Sequence, residues 1–481
     1  MKSDGQYKFR YKRLNQAGEV AYDTTATRWN SDIEAYRIEA GVYGVVHNGY
    51  WQAKLYYYDS ERGLPGAIVK NIWQNGERQG DKNFFAQATF VKDLTPKYKL
   101  QLNGKFAYDY THYLSRDTVQ FLQESVTKKM QFDNTYYQQD WYLSVVNMYS
   151  ILPVWDVSLS VDFQYNKLNA VMRGVGTPFT FPQRYTTWAA LATALNLGKW
   201  KLQADVLGTF VIEKVRNNVE APDKSEFSPA LIVGYKPFSN QDLNLRAFYK
   251  RIFRLPTFND LYYAQIGFSQ LNPEFTNQFN IGGSYQKTFK TGMIDRIALQ
   301  MDVYYAAITD KIIAAPTGSS FRWMMTNMGK VESKGVDVST AVSGHIGLVK
   351  LHTNLTYSFT KAQDFTKING KKLSSYGDQI PYTPWHSGSV IAGAEYGTWA
   401  LNYSFIYVGE RYNGAVNNIP RNYVEPWYTH DFSLQKEFRI CSRYLLKASV
   451  EMNNALNQNY DVVLNYPMPG RNFRFVIGFS L

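Results

Sequence analysis

The chain has 481 residues, 45% apolar and 19% charged, so it can bury a large core or line a large surface. Mean hydropathy is −0.38, and no stretch supplies the roughly 18 continuous apolar residues of a membrane helix; this excludes a helical membrane protein but not a β-barrel, in which half the strand residues are polar. A net charge of +12 fits a Lys-rich solvated surface or attraction to an anionic ligand or head group, and with no basic helical stripe or nucleic-acid motif it excludes DNA or RNA as a partner.

Aromatic residues reach 16%, with 38 Tyr, 29 Phe and 11 Trp, and amphipathic rings concentrate where one end of a side chain is greasy and the other wet. Cys441 is the only cysteine, so neither an intrachain disulfide nor a Cys-based metal site can form.

Period-two alternation runs from one end to the other. Gly5–Arg13 reads as the first strand. Leu100, Leu102, Phe106 and Tyr108 alternate with Gln101, Asn103, Lys105 and Asp109. Val157, Leu159, Val161, Phe163 and Tyr165 alternate with Ser158, Ser160, Asp162, Gln164 and Asn166. Similar rows follow over Leu243–Lys250, Ile297–Tyr305, Val349–Thr360, Trp399–Tyr407 and Tyr444–Asn453. The last row, Arg471–Leu481, puts Phe473, Phe475, Ile477, Phe479 and Leu481 on one face, and Asn472, Arg474, Val476, Gly478 and Ser480 on the other. Almost no stretch keeps a 3.6-residue period, so the chain is all-β.

The connections alternate between two classes. Short ones fall near His47–Gly49, Thr95–Lys97, Pro153–Trp155, Gly198–Lys199, Pro237–Asp242, Thr291–Met293, Ser343–Ile346, Gly397–Thr398 and Cys441–Arg443. Long polar ones fall at Asn15–Ser31, Ser60–Asp81, Leu114–Gln131, Asn169–Gln183, Arg216–Ser225, Arg254–Pro273, Ile313–Arg322, Gln363–Pro381, Gly409–Pro426 and Asn457–Gly470. Nine short and ten long connections join twenty strands. All long loops then lie at one end, and both chain termini lie at the short-turn end, the periplasmic side of an outer-membrane barrel. Roughly 24 residues per strand and connection suit membrane strands of about 9–11 residues. The pattern predicts a transmembrane antiparallel up-and-down β-barrel, with Phe473–Leu481 facing lipid.

Four stretches resemble the barrel domain of TonB-dependent outer-membrane receptors. F-R-L-P-T-F-N-D-L-Y-Y at Phe253–Tyr263, followed by L-N-P-E at Leu271–Glu274, carries Arg254, Pro256, Leu261, Tyr262, Pro273 and Glu274. N-M-G-K-V-E-S-K-G-V-D-V at Asn327–Val338 carries Asn327, Gly329 and Gly335. N-N-A-L-N-Q-N-Y at Asn453–Tyr460 and Y-P-M-P-G-R at Tyr466–Arg471 carry Asn453, Tyr460, Pro469, Gly470 and Arg471. Their order and spacing cover about residues 230–481, and the style of Tyr58–Gly66 and Tyr466–Arg471 is similar to Bacteroidota-type members. The resemblance implies a closing strand, with Phe475, Ile477, Phe479 and Leu481, that barrel-assembly machinery reads. It also implies a signal peptide, a TonB-contacting box and a plug ahead of a 22-stranded barrel. None of these precedes Met1, so the 481 residues are expected to be a receptor barrel domain lacking its first hairpin and its plug, a fragment not competent for transport by itself.

The resemblance implies uptake of a large, scarce nutrient, a ferric siderophore or cobalamin, driven by the TonB system, and leaves room for a surface lipoprotein partner. Haem is less expected, because no histidine lies between Arg254 and Pro273. Among the six histidines no pair has metal-ligand spacing, so neither a protein-bound metal nor a cofactor is expected. Arg62, Trp73, Arg78, Arg322, Trp323, Arg411 and Tyr412 fall in or beside long loops. Arginine suits carboxylate or phosphate and aromatic rings suit stacking, which makes them candidate ligand contacts; an aromatic girdle and solvated charge would produce the same residues. No nucleophile elbow, zinc-protease, phosphate-loop or dinucleotide motif occurs, so the chain is not expected to be an enzyme. Two readings from other classes remain beside transport: a porin-like passive channel without a plug, and a surface adhesin that binds through its loops.

Overall fold

The computed structural model describes residues 1–14, 20–68, 76–118, 128–173, 178–217, 220–263, 267–317, 322–417, 422–440 and 444–480. One antiparallel sheet of twenty strands forms the wall. In chain order its strands are β1 (Lys2–Ser3), β2 (Ile33–Val46), β3 (Gly49–Leu64), β4 (Glu77–Thr95), β5 (Tyr98–Thr118), β6 (Lys128–Leu152) and β7 (Trp155–Arg173). They continue with β8 (Gln183–Leu197), β9 (Trp200–Lys214), β10 (Lys224–Tyr235), β11 (Asp242–Arg254), β12 (Glu274–Thr288), β13 (Ile294–Thr317) and β14 (Arg322–Ile346). The last are β15 (Val349–Asp364), β16 (His386–Tyr396), β17 (Trp399–Val408), β18 (Trp427–Ile440), β19 (Tyr444–Asn453) and β20 (Asn472–Ser480).

Each strand from β2 to β20 pairs with the next in antiparallel register. The register sorts side chains onto two faces. Leu143, Val161, Leu191, Val206 and Leu231 lie on the outer face and are exposed. Ser144, Asp162, Ala192 and Asp205 lie on the lumen face. In β20, Phe473, Phe475, Ile477 and Phe479 pair with Met452, Val450, Ala448 and Leu446 on the outer face, as the alternation predicts; Leu481 lies outside the described residues.

The alternation of short turns and long loops matches expectation, with three differences. Pairing carries the strands well beyond the bilayer: β6 and β14 have 25 residues each, against the 9–11 that lipid alone requires. A ladder above the membrane still satisfies its own backbone, so nothing stops it at the head groups. The turn expected at Ser343–Ile346 falls instead at Gly347–Leu348, where Gly347 has φ +58°. A two-residue hairpin favours a positive φ, and glycine adopts it freely. The turn expected at Cys441–Arg443 lies outside the described residues.

The third difference concerns the first strand. Gly5–Arg13 is not in the wall. Tyr7–Leu14 pairs with Val20–Arg28 in a separate hairpin on the long-loop side. The twentieth wall strand is β1, which pairs only at Lys2↔Glu34 and Ser3↔Ile33. The alternation of Gly5–Arg13 is genuine, but period two does not distinguish a wall strand from a loop hairpin.

Among the described residues, β20 pairs with β19 alone, and β2 has no second partner below Glu34. A seam therefore separates β2 from β20, and its edges are bare on both faces: Tyr43 is 83% and Val45 80% exposed, Phe475 74% and Ile477 76%. Above the seam the loops meet. Tyr7 Oη donates to the Pro467 carbonyl at 2.7 Å, and Ile68 N to the Asn465 carbonyl at 2.8 Å.

Placing Arg at Leu191, mid-wall on the outer face, should cost about 2–4 kcal/mol in urea unfolding from lipid vesicles. Ala192→Arg, one residue on and beside Asp205 in the lumen, should change stability by less than about 1 kcal/mol. Equal costs would mean the two faces are not lipid and water.

Candidate functional site

Two assemblies of side chains stand out, one inside the barrel and one above it. The inner one is built on the connection from β11 to β12. Helix α1 (Phe258–Tyr262) opens with a capping box: Asp260 N donates to Thr257 Oγ1 at 3.2 Å and Thr257 N to Asp260 Oδ2 at 2.9 Å. This pair satisfies two of the orphan donors at a helix start. Arg254 draws the connection's two ends together, 3.4 Å from Glu274 and 3.6 Å from Asp260.

The connection then folds across the lumen wall. Phe258 joins Tyr136, Leu168, Ala170 and Phe179 in a buried cluster, and Tyr263 stacks on Tyr136 with centroids 4.2 Å apart. Burial pushes the Tyr262 and Tyr263 hydroxyls up to about 12, so both stay neutral donors. Arg184 anchors the fold-over: it is 2.5 Å from Glu213, donates to the Pro256 carbonyl at 2.9 Å and lies 5.0 Å from the Phe258 ring. Both charges of this pair are buried.

The resemblance motifs gather on the same rim. Asn327 Nδ2 donates to the carbonyls of Asn272 (3.1 Å) and Asp310 (2.7 Å), and its Oδ1 accepts from Asn272 N at 2.8 Å. It thus staples the segment before Pro273 to β14. A Cβ at Gly329 would sit 2.8 Å from Thr366, and one at Gly335 would collide with the Tyr304 hydroxyl and the Phe359 carbonyl. Asn453 Nδ2 donates to Asn472 Oδ1 at 3.0 Å, Tyr460 stacks on Trp427 at 4.7 Å, and the Pro469 carbonyl accepts from Asn454 at 3.3 Å. Gly470 packs against Asn457, whose Oδ1 accepts from Arg471 N at 2.8 Å. Leu261 is buried with Leu271 and Ile312. These residues shape loops rather than present chemistry.

The outer assembly joins loops from both ends of the chain. Arg411, 3% exposed, donates to the carbonyls of Val462 (3.0 Å), Glu425 (3.2 Å) and Asp461 (3.2 Å). Arg28, 1% exposed, donates to the Gly66 carbonyl. Burial pushes the Asp461 carboxyl up, and both guanidinium charges pull the other way. Tyr412 meets Tyr423 edge-on at 6.2 Å, its carbonyl accepts from Tyr382 N at 2.7 Å, and Trp323 lies 5.5 Å from Tyr382.

Of the candidate ligand contacts, Trp323, Arg411 and Tyr412 are therefore brought together. Arg62 and Arg78 form a second group on β3 and β4. Arg62 lies 3.1 Å from Asp81, and Arg78 lies 2.9 Å from Asp32 and 3.0 Å from Glu61. A hydrogen bond from Arg78 holds the Asp32 carboxyl below its usual value. Trp73 and the Arg322 side chain lie outside the described residues. Tyr7, Arg28, Arg184, Glu213 and Asp461 escape sequence reading, since nothing local marks a charge that a distant loop will bury; only T-F-N-D at Thr257–Asp260 carries a readable capping signal.

Residues 4–455 match the model of the family described as TonB dependent receptor-like, beta-barrel. Similar solved structures include the ferric citrate transporter FecA in its unliganded form, at 13% identity and TM-score 0.70, over 98% of this chain and 77% of that one. BauA, the ferric preacinetobactin receptor from Acinetobacter baumannii, aligns at 12% identity and TM-score 0.69, over 100% and 78%. The copper transporter OprC aligns at 13% identity and TM-score 0.71, over 98% and 78%. At these identities the likeness is one of fold.

Two outcomes follow from the geometry. Arg184→Met leaves Glu213 buried without its partner and should cost about 3–5 kcal/mol, with new proteolytic cleavage between Leu255 and Asn272; unchanged cleavage would refute the anchoring role. Asp32, whose folded pKa is depressed, stabilises the base of the Tyr7–Arg28 hairpin above the unfolded carboxylate pKa of about 4. That contribution is lost as pH falls through the folded value. Amide exchange in the hairpin should therefore accelerate below about pH 4, and Asp32→Asn should remove the step.

Proposed function

Because the chain belongs to the family of TonB dependent receptor-like β-barrels, which are integral to the outer membrane of Gram-negative bacteria, we propose that it is the wall and capture surface of an active importer of a ferric siderophore or cobalamin. The observation that carries this reading is the loop assembly above the barrel. It sets the half-buried rings of Trp323 and Tyr382 at the long-loop rim, on a base held together by the buried Arg411 and Tyr412. Rings suit a flat aromatic chelator or macrocycle. The net charge of +12 favours an anionic complex. Ferric citrate and ferric preacinetobactin, carried by two proteins of similar fold, are ligands of that kind. Haem ranks lower, since α1 and its flanks carry no histidine.

The seam belongs to the same proposal. Free strand edges in lipid leave backbone groups with neither water nor a partner. Bare edges on β2 and β20 support a complete barrel in which further strands close the seam. The 481 residues would then form the ligand-facing wall. A surface lipoprotein closing over the loops is compatible with this arrangement.

In cells carrying the complete receptor, uptake of labelled ferric siderophore should be saturable and should vanish on deletion of TonB. Trp323→Ala should weaken binding by about tenfold, the order of one lost aromatic contact. Uptake that survives TonB deletion and rises linearly with concentration would instead establish a passive channel. Binding without uptake would establish a surface adhesin.

A further inference from the structure

A cavity of about 860 Å³ lies neither in the lumen nor in the loop assembly. It is a groove in the lipid-facing wall across β3 to β7. Its floor is made of small residues in register, Ala53↔Ala88 and Ala88↔Gly104, and its sides are Phe106, Trp141 and Leu143. Gly104 is one reason for its depth, since its nearest possible neighbour there is the Leu143 side chain at 3.6 Å.

The groove has a built upper end. Tyr165 and Tyr185 lie side by side with centroids 4.9 Å apart, and their hydroxyls donate to Gln183 Oε1 at 3.3 and 3.5 Å. In register with Gln183, on either side, stand Lys167 and Lys214. Lys214 Nζ lies 5.8 Å from the Tyr185 ring. Of the carboxylates nearby, Glu213 faces the lumen and holds Arg184, Asp133 lies 2.8 Å from His112, and Asp223 accepts from Glu213 N at 3.3 Å. Among the described residues, neither Lys167 nor Lys214 makes an ion pair.

The height of these residues decides what they meet. Tyr149 marks the lower end of the apolar row on β6, and Gln139 pairs with Lys167. Ten residues at about 3.3 Å rise, tilted about 40°, put the two lysines about 25 Å above Tyr149, at the far edge of the apolar band. The long loops continue beyond them, so this is the external leaflet. Two unpaired ammonium groups at that interface, over a groove that opens only to hydrocarbon, complement an anionic head group joined to acyl chains.

We propose that this surface holds a phosphorylated, acylated glycolipid of the outer leaflet, with its phosphate between Lys167 and Lys214 and one acyl chain along the Ala88–Gly104 floor. The inference rests on the membrane location of the barrel and is independent of which nutrient it imports.

The test uses the 481-residue chain in neutral detergent with lipid A as the probe, read by native mass spectrometry. A discrete bound lipid A is expected, with at least tenfold weaker retention in Lys167→Ala/Lys214→Ala and equally weak retention of dephosphorylated lipid A. Ala88→Phe, which fills the floor and leaves both lysines, should also release the lipid. Brominated acyl chains should quench wild type more than Trp141→Phe, which locates the chain in the groove even where a variant folds poorly. Retention unchanged by the double substitution, equal competition by phosphatidylglycerol, or equal quenching of the two proteins would each overturn the proposal.

Discussion

Lipid offers no hydrogen bonds, and that deficiency governs this molecule. A peptide group in hydrocarbon must find another peptide group, which restricts the wall to paired strands and forces each strand to bond on both sides. From β3 to β19 every strand obeys through one continuous antiparallel register, and the two-residue turns at the short-turn end keep that register from slipping. The same rule makes the seam the point of highest energy, because β2 and β20 each leave one edge bare. The loops above it, tied by Tyr7 to Pro467 and Ile68 to Asn465, hold the two sides together where water can pay part of the cost.

Once the wall is fixed, charge is managed in three ways according to where it sits. On the lumen face carboxylates and cations pair across strands, as Arg246 does with Asp302 at 2.6 Å. Where a connection covers the wall, the charge is buried with its partner, as with Arg184 and Glu213. Above the barrel, Arg411 is spent on backbone carbonyls, using its fork of donors to join two short loop ladders, Arg411–Tyr412 with Tyr423–Val424 and Asp461–Val463 with Tyr466–Pro467.

The outer face follows a different economy. Its side chains meet acyl chains over most of their height and head groups at the rim, so rings and lysine stems occupy the transition. The wall is not uniform there. Phe473, Phe475, Ile477 and Phe479 present a bulky ridge on β20, whereas Ala53, Ala88 and Gly104 leave a hollow on β3 to β5. Bilayer lipid must adapt to both, and above the hollow Lys167 and Lys214 stand in register with Gln183.

Much of this was legible in the residues. Period-two alternation determined the all-β wall, its two faces and the outward direction of Phe473–Phe479, because a strand has no other way to place successive side chains. Loop lengths determined that the long connections gather at one end of the wall and the short turns at the other. Sequence could not tell that Tyr7–Leu14 folds into a loop hairpin while Lys2–Ser3 joins the wall, since both alternate and only partner strands decide between them. Nor could it assign Arg28, Arg184 or Arg411, whose partners lie 38, 29 and up to 51 residues away. Local pattern determines which face a residue takes; which distant charge or carbonyl it then meets is set by how the loops close, and only the tertiary structure decides that.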